Sequence, residues 1–281
     1  MAPVSTRPAS AIAHATDAAD GAYRFSARLT MTGLPVAGGG TRDSWCSGAL
    51  IAPRWVITAG HCFRGPDGRR VSRVVADRTS VTVGRTDLAS RVGYEAEVVA
   101  VRQADTVDVA LVELDTAITG VVPLRLADAP PVPGEVLRLT GYGSTTADGL
   151  VPAGRLQTGR FTVGRIGAEA IETSGRQPRA DTSPCPHDSG GPYFRERADG
   201  TAALVAVVST GPGCPHPGPD FSARTDVLDD WIAASIDSTG GPARWIPAVV
   251  GGGVVFVLLS VVLARLRCRR APPPRGAAID E

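Results

Sequence analysis

Three short runs carry side chains whose chemistry fits together: TAGHC at 58–62, DVALVEL at 108–114 and PHDSGGP at 186–192. They supply His61, Asp108 and Ser189. A serine hydroxyl is a weak nucleophile at neutral pH and attacks an acyl carbon only when a base takes its proton. An imidazole can be that base, and a carboxylate on its far nitrogen holds the ring in the required tautomer. The order His, Asp, Ser, with about fifty and then about eighty residues between members, is one of the few in which such a trio occurs. Taken singly, His61 reads as a structural histidine and Asp108 as a turn cap. Together the runs point to acyl transfer.

Other segments extend the pattern. CSGALI at 46–51 resembles the strand ahead of the catalytic histidine in trypsin/chymotrypsin-type serine proteases, and RWVITAGHC at 54–62 resembles the strand and turn that carry it. STGPGC at 209–214 is similar to the segment that pairs with extended substrate and walls the specificity pocket, and DVLDDWIAASI at 226–236 to the closing helix. The resemblance runs from Ile12 to Asp237. It implies an all-β fold of two six-stranded antiparallel β-barrels with a C-terminal helix, and a serine endopeptidase acting on protein or peptide substrates through an acyl-enzyme. A catalytically silent homologue that uses the same cleft to bind protein is the alternative.

The resemblance also implies roles for further residues. The oxyanion hole would use the backbone N–H groups of His187 and Ser189. The family has glycine where His187 stands, so a side chain is expected beside the leaving-group side of the cleft. Ser183, six residues before the nucleophile, would form the base of the specificity pocket; trypsin-like members carry aspartate there. Asp220, ahead of FSAR at 221–224, would enter the pocket from its other wall and could pair with a substrate cation. Ser209 and Gly211 would contact the substrate strand. His216 has no assigned role and is expected at the surface. Cleavage after Ala11, where Ala9-Ser10-Ala11 fits the small-residue rule of signal peptidases, would free Ile12 to pair its ammonium with Asp188.

These side chains need a scaffold. Short Val/Ile/Leu/Thr-rich runs separated by Gly and Pro predict strands at 24–31, 47–52, 55–59, 80–84, 94–102 and 109–114. A second set falls at 134–141, 155–163, 168–173, 191–195, 202–209 and 220–225. The Pro-rich stretch 123–133 separates a first barrel at about 24–115 from a second at about 134–225. His61 and Asp108 then belong to one barrel and Ser189 to the other, with the site in the cleft between them. Five cysteines are present. The family pattern pairs Cys46 with Cys62 and Cys185 with Cys214; buried free thiols are the other reading. Cys268 is left over.

A formal charge of +1 gives no reason to invoke nucleic acid. The four histidines, His14, His61, His187 and His216, lack ligand spacing, so no metal is expected, and no phosphate-binding glycine loop suggests a cofactor. The basic residues are all arginine, and without asparagine the chain has no N-glycosylation acceptor. From Trp245 to Ala264 the chain is uncharged, and as a helix it would span about 30 Å, a bilayer's hydrocarbon core. Arg265, Arg267, Arg269 and Arg270 follow, which orients such a span with its C-terminal side in the cytoplasm. A buried core helix is the alternative. The expected layout is a leader at 1–11, a protease domain at 12–237 outside the cell, a linker at 238–244, a transmembrane helix at 245–264 and a cytoplasmic tail at 265–281. Residues 1–11 hold no apolar run long enough for a signal, so the apolar part of a leader is expected upstream of Met1, or else export relies on the C-terminal span.

Overall fold

The computed structural model describes residues 11–238. After a two-residue strand β1 (Thr16–Asp17), six strands close a first barrel: β2 (Ser26–Pro35), β3 (Thr41–Ala52), β4 (Trp55–Thr58), β5 (Arg78–Val83), β6 (Tyr94–Gln103) and β7 (Ala110–Leu114). Their order around the barrel is β2-β3-β4-β7-β6-β5, every neighbour antiparallel. In β5, Thr79, Val81 and Val83 alternate inward with more exposed neighbours, the period-two pattern of a strand with one buried face. Leu29, Met31, Leu50, Val81, Val101 and Val112 fill the interior.

Leu124 and the short strand β8 (Arg125–Leu126) follow, inside the stretch expected to link the barrels. The linker touches both halves. The Leu124 N–H donates to Leu50 O of the first barrel, and β8 lies parallel to a strand of the second. That second barrel is built from β9 (Val136–Gly141), β10 (Gln157–Ile166), β11 (Ala170–Gln177), β12 (Pro192–Glu196), β13 (Ala202–Thr210) and β14 (Pro219–Arg224). The order β10-β11-β14-β13-β12-β9 closes through the β9–β10 pairing, and β1 adds to β10. Its core holds Ile12, Leu137, Leu139, Phe161, Tyr193 and Val205.

A third apolar cluster lies between the two interiors, with Phe25, Trp55, Ile57, Leu111, Phe194 and Leu204. The closing helix α1 (Asp229–Asp237) adds Ile232 to it. The helix begins three residues later than the sequence predicts: the chain first makes a turn closed by the Leu228 N–H on Thr225 O, with Asp226 inside it held by Arg224 in a two-pronged ion pair. Asp229 and Asp230 occupy the first turn, where a helix favours negative charge. Both expected disulfides are present, Cys46–Cys62 and Cys185–Cys214. Among the described residues no helix is long and apolar enough to cross a membrane. The span expected at 245–264, the tail with Cys268 and nearly all of the leader lie outside those residues.

Candidate active site

Strand β4 ends at Thr58, whose hydroxyl donates to Ser47 O at 2.7 Å, and the chain turns tightly through Gly60–Cys62. This turn presents His61. The Cys46–Cys62 disulfide pins it to β3, and Gln103 Nε2 donates to the carbonyls of Gly60, Phe63 and Val71. Asp108 sits just before β7. It accepts the His61 backbone N–H at 2.9 Å on Oδ1 and lies 2.7 Å from His61 Nδ1 on Oδ2. On the other side of the ring, His61 Nε2 is 2.7 Å from Ser189 Oγ. The three side chains that the sequence singles out therefore meet in one line.

The carboxylate is held as an anion. Burial would raise the Asp108 pKa, but hydrogen bonds and charge from His61, with the Ser209 hydroxyl at 2.7 Å, outweigh it and bring it to about 2. Arg70 stands behind, its guanidinium 3.8 Å from Asp108 Oδ1 and bonded to the carbonyls of Val107 and Asp105. The sequence gives no sign of this role for Arg70. The Ser209 hydroxyl donates to Asp108, a side-chain contact that the sequence does not announce and that leaves the substrate contact expected of its backbone untouched. A serine next to a substrate strand can turn either way, and the nearby charge decides.

Ser189 lies in a turn that needs a particular backbone. Gly190 has φ +81°, and a Cβ there would fall 2.1 Å from Thr58 Oγ1 and 2.4 Å from Ser47 O. Only glycine fits. His187 also sits in the left-handed region, at φ +74°. Its ring is tied down, with Nδ1 2.7 Å from Trp45 O, Nε2 3.2 Å from Gly149 O, and a stack on the Trp45 indole at 3.6 Å. Burial lowers its pKa, so a neutral ring is favoured. The loop docks on the first barrel as well: Ser47 N–H donates to Ser189 O at 2.9 Å, and Ser47 Oγ to His187 O at 3.2 Å. Neither the His187 nor the Ser189 backbone N–H has a partner among the described residues.

With this geometry established, the comparisons with known proteins are specific. A model of the Trypsin family matches residues 12–232. The chain belongs to the trypsin family. Over 216 residues it is 28% identical to the trypsin of Saccharopolyspora erythraea, covering 70% of this chain and 88% of that protein. Over 221 residues it is 26% identical to Trypsin 5G1 of Aedes aegypti (67% and 74% covered). It is 27% identical over 216 residues to a snake venom serine protease of Crotalus durissus durissus (70% and 81%). It is a trypsin-like serine endopeptidase, a hydrolase.

The pocket of this trypsin-family chain carries its own features. Ser183 is buried, its carbonyl accepting the Ala13 N–H and its hydroxyl the His216 N–H. Asp220, at the start of β14, is also buried; a Cβ on Gly211 would fall 1.9 Å from its Oδ1, so only glycine at 211 leaves the carboxylate room. Burial pushes the Asp220 carboxyl up to about 7. His216 is a correction. It is buried rather than exposed, because the Cys185–Cys214 disulfide and the return into β14 fold it back toward Asp220, 3.6 Å away.

The ion pair expected between Ile12 and Asp188 is absent from the intact chain. Ile12 is buried in the second core, but its nitrogen is an uncharged amide joined to Ala11. Asp188 accepts the N–H groups of Cys185 and Gly143, each at 2.9 Å. With no cation to balance it, burial raises its carboxyl to about 8. On the leaving-group side, a cleft of about 430 Å³ opens beside His61 and Ser189, walled by Trp45, Arg42, Arg64 and the His187 ring.

Proposed function

We propose that this chain is an exported, membrane-tethered serine endopeptidase that cuts after basic residues through His61, Asp108 and Ser189. The reading rests on one observation: the unbroken contacts, 2.7 Å each, from Ser189 Oγ through the His61 ring to Asp108. Ser189 Oγ attacks the scissile carbonyl carbon while His61 Nε2 takes its proton. The imidazolium is held by the Asp108 carboxylate. Negative charge moves onto the carbonyl oxygen, where the unengaged N–H groups of His187 and Ser189 are donors for it. When the intermediate collapses, the carbon–nitrogen bond breaks and His61 hands its proton to the departing amine. Water then attacks the acyl carbon as His61 takes its proton, the carbon–Oγ bond breaks, His61 returns the proton to Ser189 Oγ and the acyl group leaves as a carboxylic acid.

The remaining parts of the proposal have separate supports. Cleavage before Ile12 would give Asp188 the cation that it lacks, and the Ala13–Ser183 hydrogen bond already binds the new terminus to the pocket. Asp220 supports basic specificity, since an otherwise uncompensated carboxylate in the pocket is matched by a guanidinium or ammonium. The uncharged run 245–264, followed by arginines, supports the tether and the outward-facing domain. The test is a fluorophosphonate, which phosphonylates a serine oxygen only when its base is in place. We expect a single adduct on Ser189, lost in Ser189→Ala and reduced by orders of magnitude in His61→Ala. An unlabelled Ser189 in a folded, processed chain would overturn the assignment.

A further inference from the structure

Asp220, beside Gly211, and His216 are two buried polar side chains in the specificity pocket that carry unmet hydrogen-bonding atoms among the described residues. The Asp220 and His216 side chains are 5% and 9% exposed, and His216 Nε2 lies 3.6 Å from Asp220 Oδ2. Among the described residues neither imidazole nitrogen, nor Asp220 Oδ2, has a hydrogen-bond partner. Buried polar groups are nearly always paired, and one left unmet is destabilising. Among the described residues no arginine lies within ion-pair reach of Asp220, and His216 is the basic group that does. Asp188 and Tyr193 are the other ionisable groups that feel the Asp220 charge, which adds to the burial that raises the pKa of both. Thr173 stands opposite on β11, and Ser183 Oγ takes the His216 backbone N–H.

Besides taking up a proton of its own, which its burial favours, this carboxylate is satisfied in two arrangements. A substrate cation can reach Asp220 while His216 stays neutral, or a protonated His216 can close the gap and donate Nε2–H to Oδ2. Both need the same oxygen, so they exclude each other. We infer that His216 is a specificity-determining residue: protonated, it occupies Asp220 and denies it to a basic substrate side chain; neutral, it leaves the carboxylate to the substrate's guanidinium or ammonium. This builds on the basic specificity proposed above. Proton and substrate cation then compete, and preference for basic residues fades as the solution becomes more acidic.

The test is the ratio of kcat/KM for two matched peptides, Arg against Leu before the scissile bond, measured with the full chain from about pH 5.5 to about pH 8.5. The ratio cancels the titration of His61, which both substrates share. We expect it to fall by about tenfold or more toward acid. His216→Gln cannot hold the proton and should move the midpoint of that fall at least one pH unit toward acid. Asp220→Asn should lose the Arg preference at every pH. An unchanged midpoint in His216→Gln overturns the role of His216 and leaves basic specificity standing. A parent enzyme that favours Leu throughout, or an Asp220→Asn variant that still favours Arg, overturns the basic reading and this inference with it. Should His216→Gln fail to fold, ¹⁵N NMR of the parent decides. Protonation of His216 with the midpoint of the ratio supports the inference; an imidazole neutral across the range overturns it.

Discussion

His187 occupies a position where the backbone alone would favour glycine, and the side chain's contacts explain how histidine is held there. A residue with a Cβ at φ +74° carries a strain of about 1 kcal/mol. Against it stand a stack on the Trp45 indole and a hydrogen bond to Trp45 O. A neutral imidazole has one N–H, and the shorter contact, to Trp45, takes it. In the proposed mechanism the contribution of residue 187 is its backbone N–H, which glycine shares. His187→Gly should therefore keep turnover of a small ester substrate within a few-fold while widening the range of residues accepted after the scissile bond, as peptide-library cleavage would register. A drop of about 10²–10³ in kcat would instead mean that the ring is needed to hold the oxyanion donor in place. The nucleophile, base and orienting carboxylate were legible because local motifs fix their chemistry. The partners of those groups were not. Ser209 turns toward Asp108, Arg70 reaches behind it and His216 folds under the pocket, and each is set by tertiary neighbours far away in sequence.

Among the elements, the segment 11–13 and the nucleophile loop form a unit whose state depends on charge. In the intact chain Asp188 is buried beside two N–H donors and titrates at about 8, well above its ordinary value of 3.8. A carboxyl with a raised folded pKa stabilises fully below the unfolded value, and that contribution is lost as pH rises through the folded one. Between about pH 4 and about pH 8 the unfolded chain releases this proton and the folded chain keeps it, so stability falls. Asp220, raised to about 7, acts in the same direction. Asp188→Asn keeps a neutral group of similar shape. In uncleaved protein its melting temperature should match the parent near pH 4 and exceed it by several degrees near pH 8. Cleavage before Ile12 should remove most of that difference, because the new ammonium lets the parent's Asp188 ionise. Equal melting temperatures across the range would show that Asp188 is not the destabilising group. At this scale the sequence was read closely: each of the twelve expected strands has its counterpart, since apolar runs between Gly and Pro leave few other choices. The helix start and β8 were missed because a hydrogen-bonded turn at 225–228 and a long-range strand pairing precede or set them.

For the whole molecule, the proposed location of the catalytic domain outside the cytoplasm rests on charge and thiol chemistry. Cys46, Cys62, Cys185 and Cys214 are joined in disulfides, which persist in oxidising surroundings outside the cytoplasm. Cys268 follows an uncharged run of bilayer length and lies among arginines, which favours the reducing side. It is thus the one thiol able to report on topology. In intact cells producing the Ser189→Ala chain, a membrane-impermeant maleimide should leave the protein unlabelled, and permeabilisation should add one label at Cys268, absent in Cys268→Ser. The chain should stay with membranes through alkaline carbonate extraction, and truncation after Arg244 should release a soluble domain. Labelling of Cys268 in intact cells would reverse the orientation, and would put the arginine cluster and the catalytic cleft on the same side of the membrane. Release of the full chain by carbonate would remove the tether altogether, leaving a protease whose access to substrate is set by diffusion rather than by the membrane surface.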